Sequence, residues 1–197
     1  MYGNMDKIVK KDKAKPSEIE EEVAKALFEF EVNCTFETKE YAKKILIMKA
    51  EMVDANPKYL LIRVPYKSLE PLRKVQKELI ENLEKKFSAP IIIVGWRTII
   101  SKVVKAKGKQ RRPLSKTLTA VNQSLMDDVV YPNVIAGKRI RFTKEGTEIY
   151  KIIFSDRLKD QLKDRLAVMS SAYKKLTQKN LQFEFQKTQE IAKKMKK

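Results

Sequence analysis

A chain of 197 residues with 43% apolar content is long enough to bury a sizeable core, and 43 Lys and Arg against 25 Asp and Glu leave it at +18, a charge suited to a polyanionic partner. The lack of histidine removes the commonest general base, zinc ligand and pH switch, and the single cysteine, Cys34, excludes an intramolecular disulfide or a cysteine metal cluster. No window approaches the roughly 18 apolar residues of a membrane span and the N-terminus has no apolar signal core, so a soluble intracellular protein is expected, with no membrane partner.

Residues 1–15 are basic and lack apolar periodicity, which reads as a flexible N-terminal arm. Ser17 and Glu20 then have capping-box spacing. A helix follows, with Ile19, Val23, Ala26, Leu27 and Phe30 on one face and Glu18, Glu21, Glu22 and Glu29 mostly off it. This acidic face is expected to point to solvent or to a basic protein, away from any polyanionic partner.

Alternation over Lys44–Asp54 sets Leu46, Met48, Ala50 and Met52 against Ile47, Lys49, Glu51 and Val53 and predicts a strand. Asn56-Pro57 turns the chain into a second strand, Tyr59–Val64. Ser68 opens a helix through about Phe87, with Leu72, Val75, Leu79, Ile80 and Leu83 inward and Pro71 in its first turn. The strand Ile91–Trp96 completes a βαβ unit and, being apolar on both faces, is expected to be central in a mixed sheet.

Thr117–Val130 reads as a helix with Leu118, Val121, Leu125 and Val129 on one face, ended by Pro132. Strands from Arg139 to Thr143 and from Thr147 to Phe154 flank Lys144-Glu-Gly146, a hairpin signal. A helix-rich stretch, Asp156–Leu176, and an edge strand, Leu181–Phe185, follow. The fold class is α/β (α+β): a mixed sheet with a βαβ unit, packed helices and a long basic extended loop or hairpin. No repeat or linker is visible, so residues 16–185 are expected to form one domain and 186–197 a basic extension.

From Lys85 to Met126 the chain holds no Asp or Glu. Arg97, Arg111 and Arg112 are expected to fork to phosphate oxygens, and Lys102, Lys105, Lys107, Lys109 and Lys116 to act as point charges. Basic runs also occur as solvated loops that bind nothing. Gly108 and Pro113 break any recognition helix, so the segment 97–116 is expected to be a loop or long hairpin tip that orders on folded RNA.

Walker and Rossmann glycine spacings are absent, and Gly108-Lys109 and Gly137-Lys138 read as turns. Asp127-Asp128 offers an acidic pair for Mg2+, yet adjacent helical residues diverge by about 100 degrees. Ser115, Thr117 and Thr119 have no base to activate them and suit capping or phosphate contact. Tyr66 and Trp96 have rings able to stack on bases, although Trp96 closes an apolar strand. Two further classes therefore stand beside a structural RNA-binding protein: a free regulatory RNA-binding protein, and a metal-dependent nucleic-acid-processing enzyme using Asp127 and Asp128.

The motifs KIVK, LEKKFSAP, KGKQRRPLSKTLTAVNQSLMDDVVYPNVIAGKRIRF and YKKLTQKNLQFEF occur in that order along nearly the whole chain. Together they resemble the eukaryotic-type small-subunit ribosomal protein seven family, unrelated to the bacterial protein of the same number. The resemblance implies a structural component of the small subunit that binds ribosomal RNA and neighbouring ribosomal proteins. It also implies participation in assembly and rRNA processing in the nucleolus, a working place on the cytoplasmic ribosome, and no enzyme activity, cofactor or small-molecule substrate. RNA contacts are implied at Lys107–Lys116 and at Lys138, Arg139 and Arg141. Asn122, where the family carries histidine, and the stretch from Gln186 to Lys197 depart from the pattern.

Overall fold

The computed structural model describes residues 7–10, 15–103 and 112–186. The chain divides into two compact units, Met1–Asp128 and Val129–Lys197.

In the first unit, helix α1 spans Glu18–Asn33 and begins as the capping box requires, the Ser17 N–H donating to Glu20 Oε2 at 2.9 Å. Its apolar stripe, Val23, Ala26, Leu27 and Phe30, is buried. Of the acidic face, Glu18, Glu22 and Glu29 are exposed and Glu21 is half-buried, while the glutamates beside it are drawn into pairs. Glu20 is buried and pairs with Lys10 at 2.7 Å, Glu31 pairs with Lys7 at 2.6 Å, and Glu29 pairs with Lys86.

Those pairs correct the expected flexible arm where it is described. Val9 N–H donates to Ile47 O and Ile47 N–H to Lys7 O, each at 2.8 Å, so residues 7–10 dock beside Ile47. Lys7 Nζ, nearly buried, also donates to the Ala42 and Lys43 carbonyls at 3.2 Å. These carbonyls close α2, Phe36–Lys43, whose open C-terminal acceptors favour a cation. Of the other arm residues called flexible, 1–6 and 11–14 lie outside the described residues, and Lys15 is exposed.

Strand β1, Lys49–Val53, is shorter than the expected strand. Ile45 and Ile47 are buried before it, and Ala50 is buried within it. A bend at Met48 shifts the inward positions from odd to even residues, so Leu46 is not on the buried face. β2, Tyr59–Pro65, pairs antiparallel with β1, and β3, Ile91–Trp96, pairs parallel with β2. The sheet order β1-β2-β3 places β3 at an edge, not in the centre. Its apolar run reflects burial of both faces rather than a flanking strand on each side.

The crossover helix α3, Tyr66–Phe87, starts two residues before Ser68, which moves Pro71 from the first turn into the second. The Lys67 carbonyl therefore lacks its helical donor. Leu72, Val75, Leu79, Ile80 and Leu83 all face the core and meet Leu60, Ile62, Val64, Ile91 and Ile93 from one face of the sheet. On its other face Tyr59, Leu61, Ile92 and Val94 are buried as well. Helix α4 spans Leu118–Val130, and its buried positions include Val121, Asn122 and Met126, while Leu118 is exposed.

In the second unit, β4 (Gly137–Phe142) and β5 (Glu148–Ser155) form the expected hairpin, with Gly146 at φ +79° inside the turn, a value glycine adopts without strain. Helix α5, Lys159–Thr177, leads to β6, Asn180–Gln186, parallel to β5. The order is β4-β5-β6, so a second three-stranded mixed sheet stands where the sequence suggested extensions of one. Ile152, Phe154 and Leu181 from the sheet and Val168, Met169, Ala172 and Tyr173 from α5 are buried.

Candidate nucleic-acid interface

The basic segment starts at the end of β3, within the first unit, and a buried carboxylate fixes its root. Asp128, on α4, accepts from the Gly95 N–H at 3.1 Å, from Arg73 Nη2 at 2.8 Å and from Arg97 Nη1. With its side chain 1% exposed, Asp128 has its charge balanced by two guanidiniums and its remaining lone pairs partly satisfied by the backbone. The Asp127-Asp128 pair thus splits in two, Asp127 exposed and Asp128 turned to arginines. Among the described residues, no group of three or more His, Cys, Asp or Glu could hold a metal ion.

The far leg of the loop returns beside the first. Ile100 N–H donates to Lys116 O at 3.0 Å, and Arg112 Nη1 donates to Ile100 O at 3.2 Å. Thr117 then caps α4, its Oγ1 accepting from the Ala120 N–H at 3.4 Å. The expected loop therefore has a closed base.

Arg97 and Arg112 are built into this base, whereas Lys102 and Lys116 are exposed. Lys105, Lys107, Lys109 and Arg111 lie outside the described residues. Arg97 and Lys116 come together with Tyr66, Trp96, Ser115 and Ser124 around an open groove of about 390 Å³. Tyr66 and Trp96 are far apart in sequence, and only the βαβ crossover brings them to the same end of the sheet. The tie between Arg97 and Asp128, likewise, has no local sequence signal.

In the second unit, Lys138, Arg139 and Arg141 lie on β4, the outer strand, exposed from Lys138 to Phe142. Strand alternation sends Arg139 and Arg141 to one face and Lys138, Ile140 and Phe142 to the other. The two arginines share their face with Lys151, which is paired with Glu184. The Lys151 ammonium is the main cause holding the Glu184 carboxyl below its ordinary value, with smaller help from Arg139 and Arg141. This strand face is thus a net basic strip with one internal counter-charge.

A protein-family model described as Ribosomal protein S7e matches residues 7–185. The chain belongs to the S7e family. Small ribosomal subunit protein eS7 of Avicennia marina is 38% identical to it over 192 residues, covering 96% of this chain and 100% of that protein. Small ribosomal subunit protein eS7z of Arabidopsis thaliana is 35% identical over 188 residues, covering 94% and 97%. The eS7 of Spodoptera frugiperda is 34% identical over 184 residues, covering 91% and 96%.

S7e proteins are structural ribosomal proteins rather than enzymes, so the processing-enzyme alternative falls. The S7e match takes in both ends of the basic loop and all of β4. Asn122, one of the two departures noted in the sequence, is buried on α4. Most of the other, residues 187–197, lies outside both the matched and the described residues.

Proposed function

We propose that the chain is a structural constituent of the small ribosomal subunit, held there by ribosomal RNA and by neighbouring ribosomal proteins. It takes part in subunit assembly and rRNA processing, entering the particle in the nucleolus and working on the cytoplasmic ribosome. The observation that carries this proposal is the S7e match across residues 7–185. The acid-free run from Lys85 to Met126 supports the RNA part, because its excess charge needs phosphate or salt to neutralise it.

The contacts proposed are Lys102, Lys105, Lys107, Lys109, Arg111 and Lys116 on the loop and Lys138, Arg139 and Arg141 on β4. Arg97 and Arg112 hold the loop base, and any phosphate contact they make is added to that task. Each phosphate neutralised releases counterions, so affinity falls with salt by a power of about 0.7–0.9 per contact.

The test is sedimentation of a cell lysate on sucrose gradients at low and high salt, with the protein followed through every fraction. Co-migration with small subunits and whole ribosomes that survives high salt is the expected result. A peak confined to the top of the gradient would instead make it a free RNA-binding protein.

A further inference from the structure

The groove at the root of the basic loop combines two features that a purely electrostatic contact does not need. Tyr66, at the first turn of α3, is 69% exposed, an unusual amount for an aromatic side chain next to a buried core. Trp96, at the end of β3, is half-buried, with the Arg63 guanidinium 5.5 Å from its ring centroid. Ser115, Ser124, Arg97 and Lys116 share the lining with these rings, so it offers aromatic surface, hydroxyls and positive charge, with no carboxylate among the described residues that line it.

Its volume of about 390 Å³ is in the size class of sites that hold one small molecule, too little for a duplex. A second cavity, about 520 Å³ beside Cys34, differs in charge: Glu29, Glu78 and Glu81 line it together with Lys85 and Lys86, Glu29 being paired with Lys86, so three carboxylates outnumber two ammoniums and disfavour a phosphate. Charge complementarity therefore singles out the first groove for an anion carrying a flat ring.

We propose that this groove takes a single unstacked nucleotide of single-stranded RNA, its base against Tyr66 and Trp96 and its phosphate against Lys116. The proposal rests on the RNA-binding function above and adds to it a preference for unpaired over paired RNA. Bases stack on aromatic side chains largely without regard to sequence, so the groove selects exposed bases rather than a particular one. Ser115 and Ser124 are in position to hydrogen-bond the base edge or the ribose hydroxyl.

Trp96 is the only tryptophan of the chain, so its fluorescence reports on the groove directly. The full-length protein is titrated with a single-stranded oligoribonucleotide of mixed sequence, with an abasic ribose-phosphate chain of the same length, and with a hairpin duplex of equal phosphate number. The single strand should quench Trp96, and the other two should bind with little quenching. Tyr66→Ala, at an exposed position, should weaken single-strand binding about tenfold, leave duplex binding unchanged and spare the fold, while Tyr66→Phe should restore it. Lys116→Ala should weaken single-strand binding and steepen its loss with salt less than in the parent.

Equal binding of single strand and duplex, with no quenching and no effect of Tyr66→Ala, overturns the groove and leaves the RNA-binding function standing. Binding to none of the three overturns both.

Discussion

The two compact units repeat one succession of elements and differ in where water reaches them. Each is a hairpin joined by five residues, Asp54–Lys58 or Thr143–Thr147, followed by a long helix and a third strand parallel to the second. In each the second strand is central, and the helix ends on a left-handed residue that is not glycine, Ser88 at φ 48° or Gln178 at φ 59°. Yet β3 is buried through Gly95 whereas β6 buries only Leu181 fully, and β1 carries a buried Ala50 where β4 is open on both faces. Topology places the strands, and the apolar content of each strand decides which faces stay dry. The first unit carries the basic loop from the end of a strand buried on both faces; the second leaves its outer strand open to carry charge itself.

The largest contrast should appear in the cores. Leu72→Ala, at a side chain 1% exposed, should lower unfolding free energy by about 2–5 kcal/mol, while Ile140→Ala on β4, 47% exposed, should change it by less than about 1 kcal/mol. Urea unfolding followed by Trp96 fluorescence reads the first unit, and hydrogen exchange along β5 reads the second. Equal losses at the two positions would show that β4 is covered and would break the contrast.

Next in size is the buried carboxylate. Asp128→Ala leaves Arg73, Arg97 and the Gly95 N–H without their common acceptor and should cost about 3 kcal/mol, most of it felt where the loop leaves β3. The corresponding ion pair of the second unit, Lys151 with Glu184, lies at the surface, and Glu184→Gln should leave the unfolding midpoint nearly unchanged.

Two glycines sharpen the comparison further. A Cβ on Gly95 would lie 3.1 Å from Leu69 Cδ2 and 3.3 Å from Asp128 Oδ2, so Gly95→Ala should cost about 1–3 kcal/mol. On Gly137 the nearest atom would be Ile153 Cδ1 at 3.5 Å, an ordinary contact, and Gly137→Ala should be neutral or stabilising by up to about 1 kcal/mol. Circular dichroism melts of both variants read the difference.

How much of this was legible in the sequence follows from how local each signal is. The capping box at Ser17, the stripe on α3 and the turn around Gly146 are written within a few residues, and all three appear as spaced. Helix α2 has no apolar stripe to announce it, since Phe36 and Lys43 are exposed and, among its described side chains, only Ala42 is fully buried, so periodicity passes over it. β3 looked central because an apolar run records covered faces, not hydrogen-bonded neighbours.

The boundary after Asp128 carries no linker signal because α4 runs through it. At the interface, composition marked the basic loop and β4, but separations of 31 residues between Arg97 and Asp128, and of 55 between Arg73 and Asp128, leave no pattern to read. A spacing argument accordingly counted Arg97 with the phosphate-binding residues and Asp128 as a weak metal ligand, where the fold pairs them with each other.

The smallest expected effect concerns pH, and it separates the units by where their titrating pairs lie. In the second unit Lys179 donates to Glu148 Oε2 and to Tyr150 Oη, each at 2.8 Å, and its ammonium rests 4.8 Å from the Tyr150 ring centroid. Lys179 is the main cause holding the Glu148 carboxyl below its ordinary 4.5, and Glu148 in turn holds the Lys179 ammonium above its ordinary 10.5. A depressed carboxyl contributes stability that is present above its unfolded value and is lost as pH falls through the folded one; a raised ammonium contributes below its unfolded value and loses it as pH rises through the folded one. Both losses therefore fall at the extremes, below 4.5 and above 10.5. With no histidine in the chain, stability of the second unit should stay flat across neutral pH and bend down only on strong acidification or strong alkali. Hydrogen exchange along β5 and β6, corrected for the intrinsic rate at each pH, should show this plateau. Glu148→Gln should lessen the acid bend in the second unit and leave the Trp96-monitored unfolding of the first where it was; a shift in both would mean that the two units do not unfold independently.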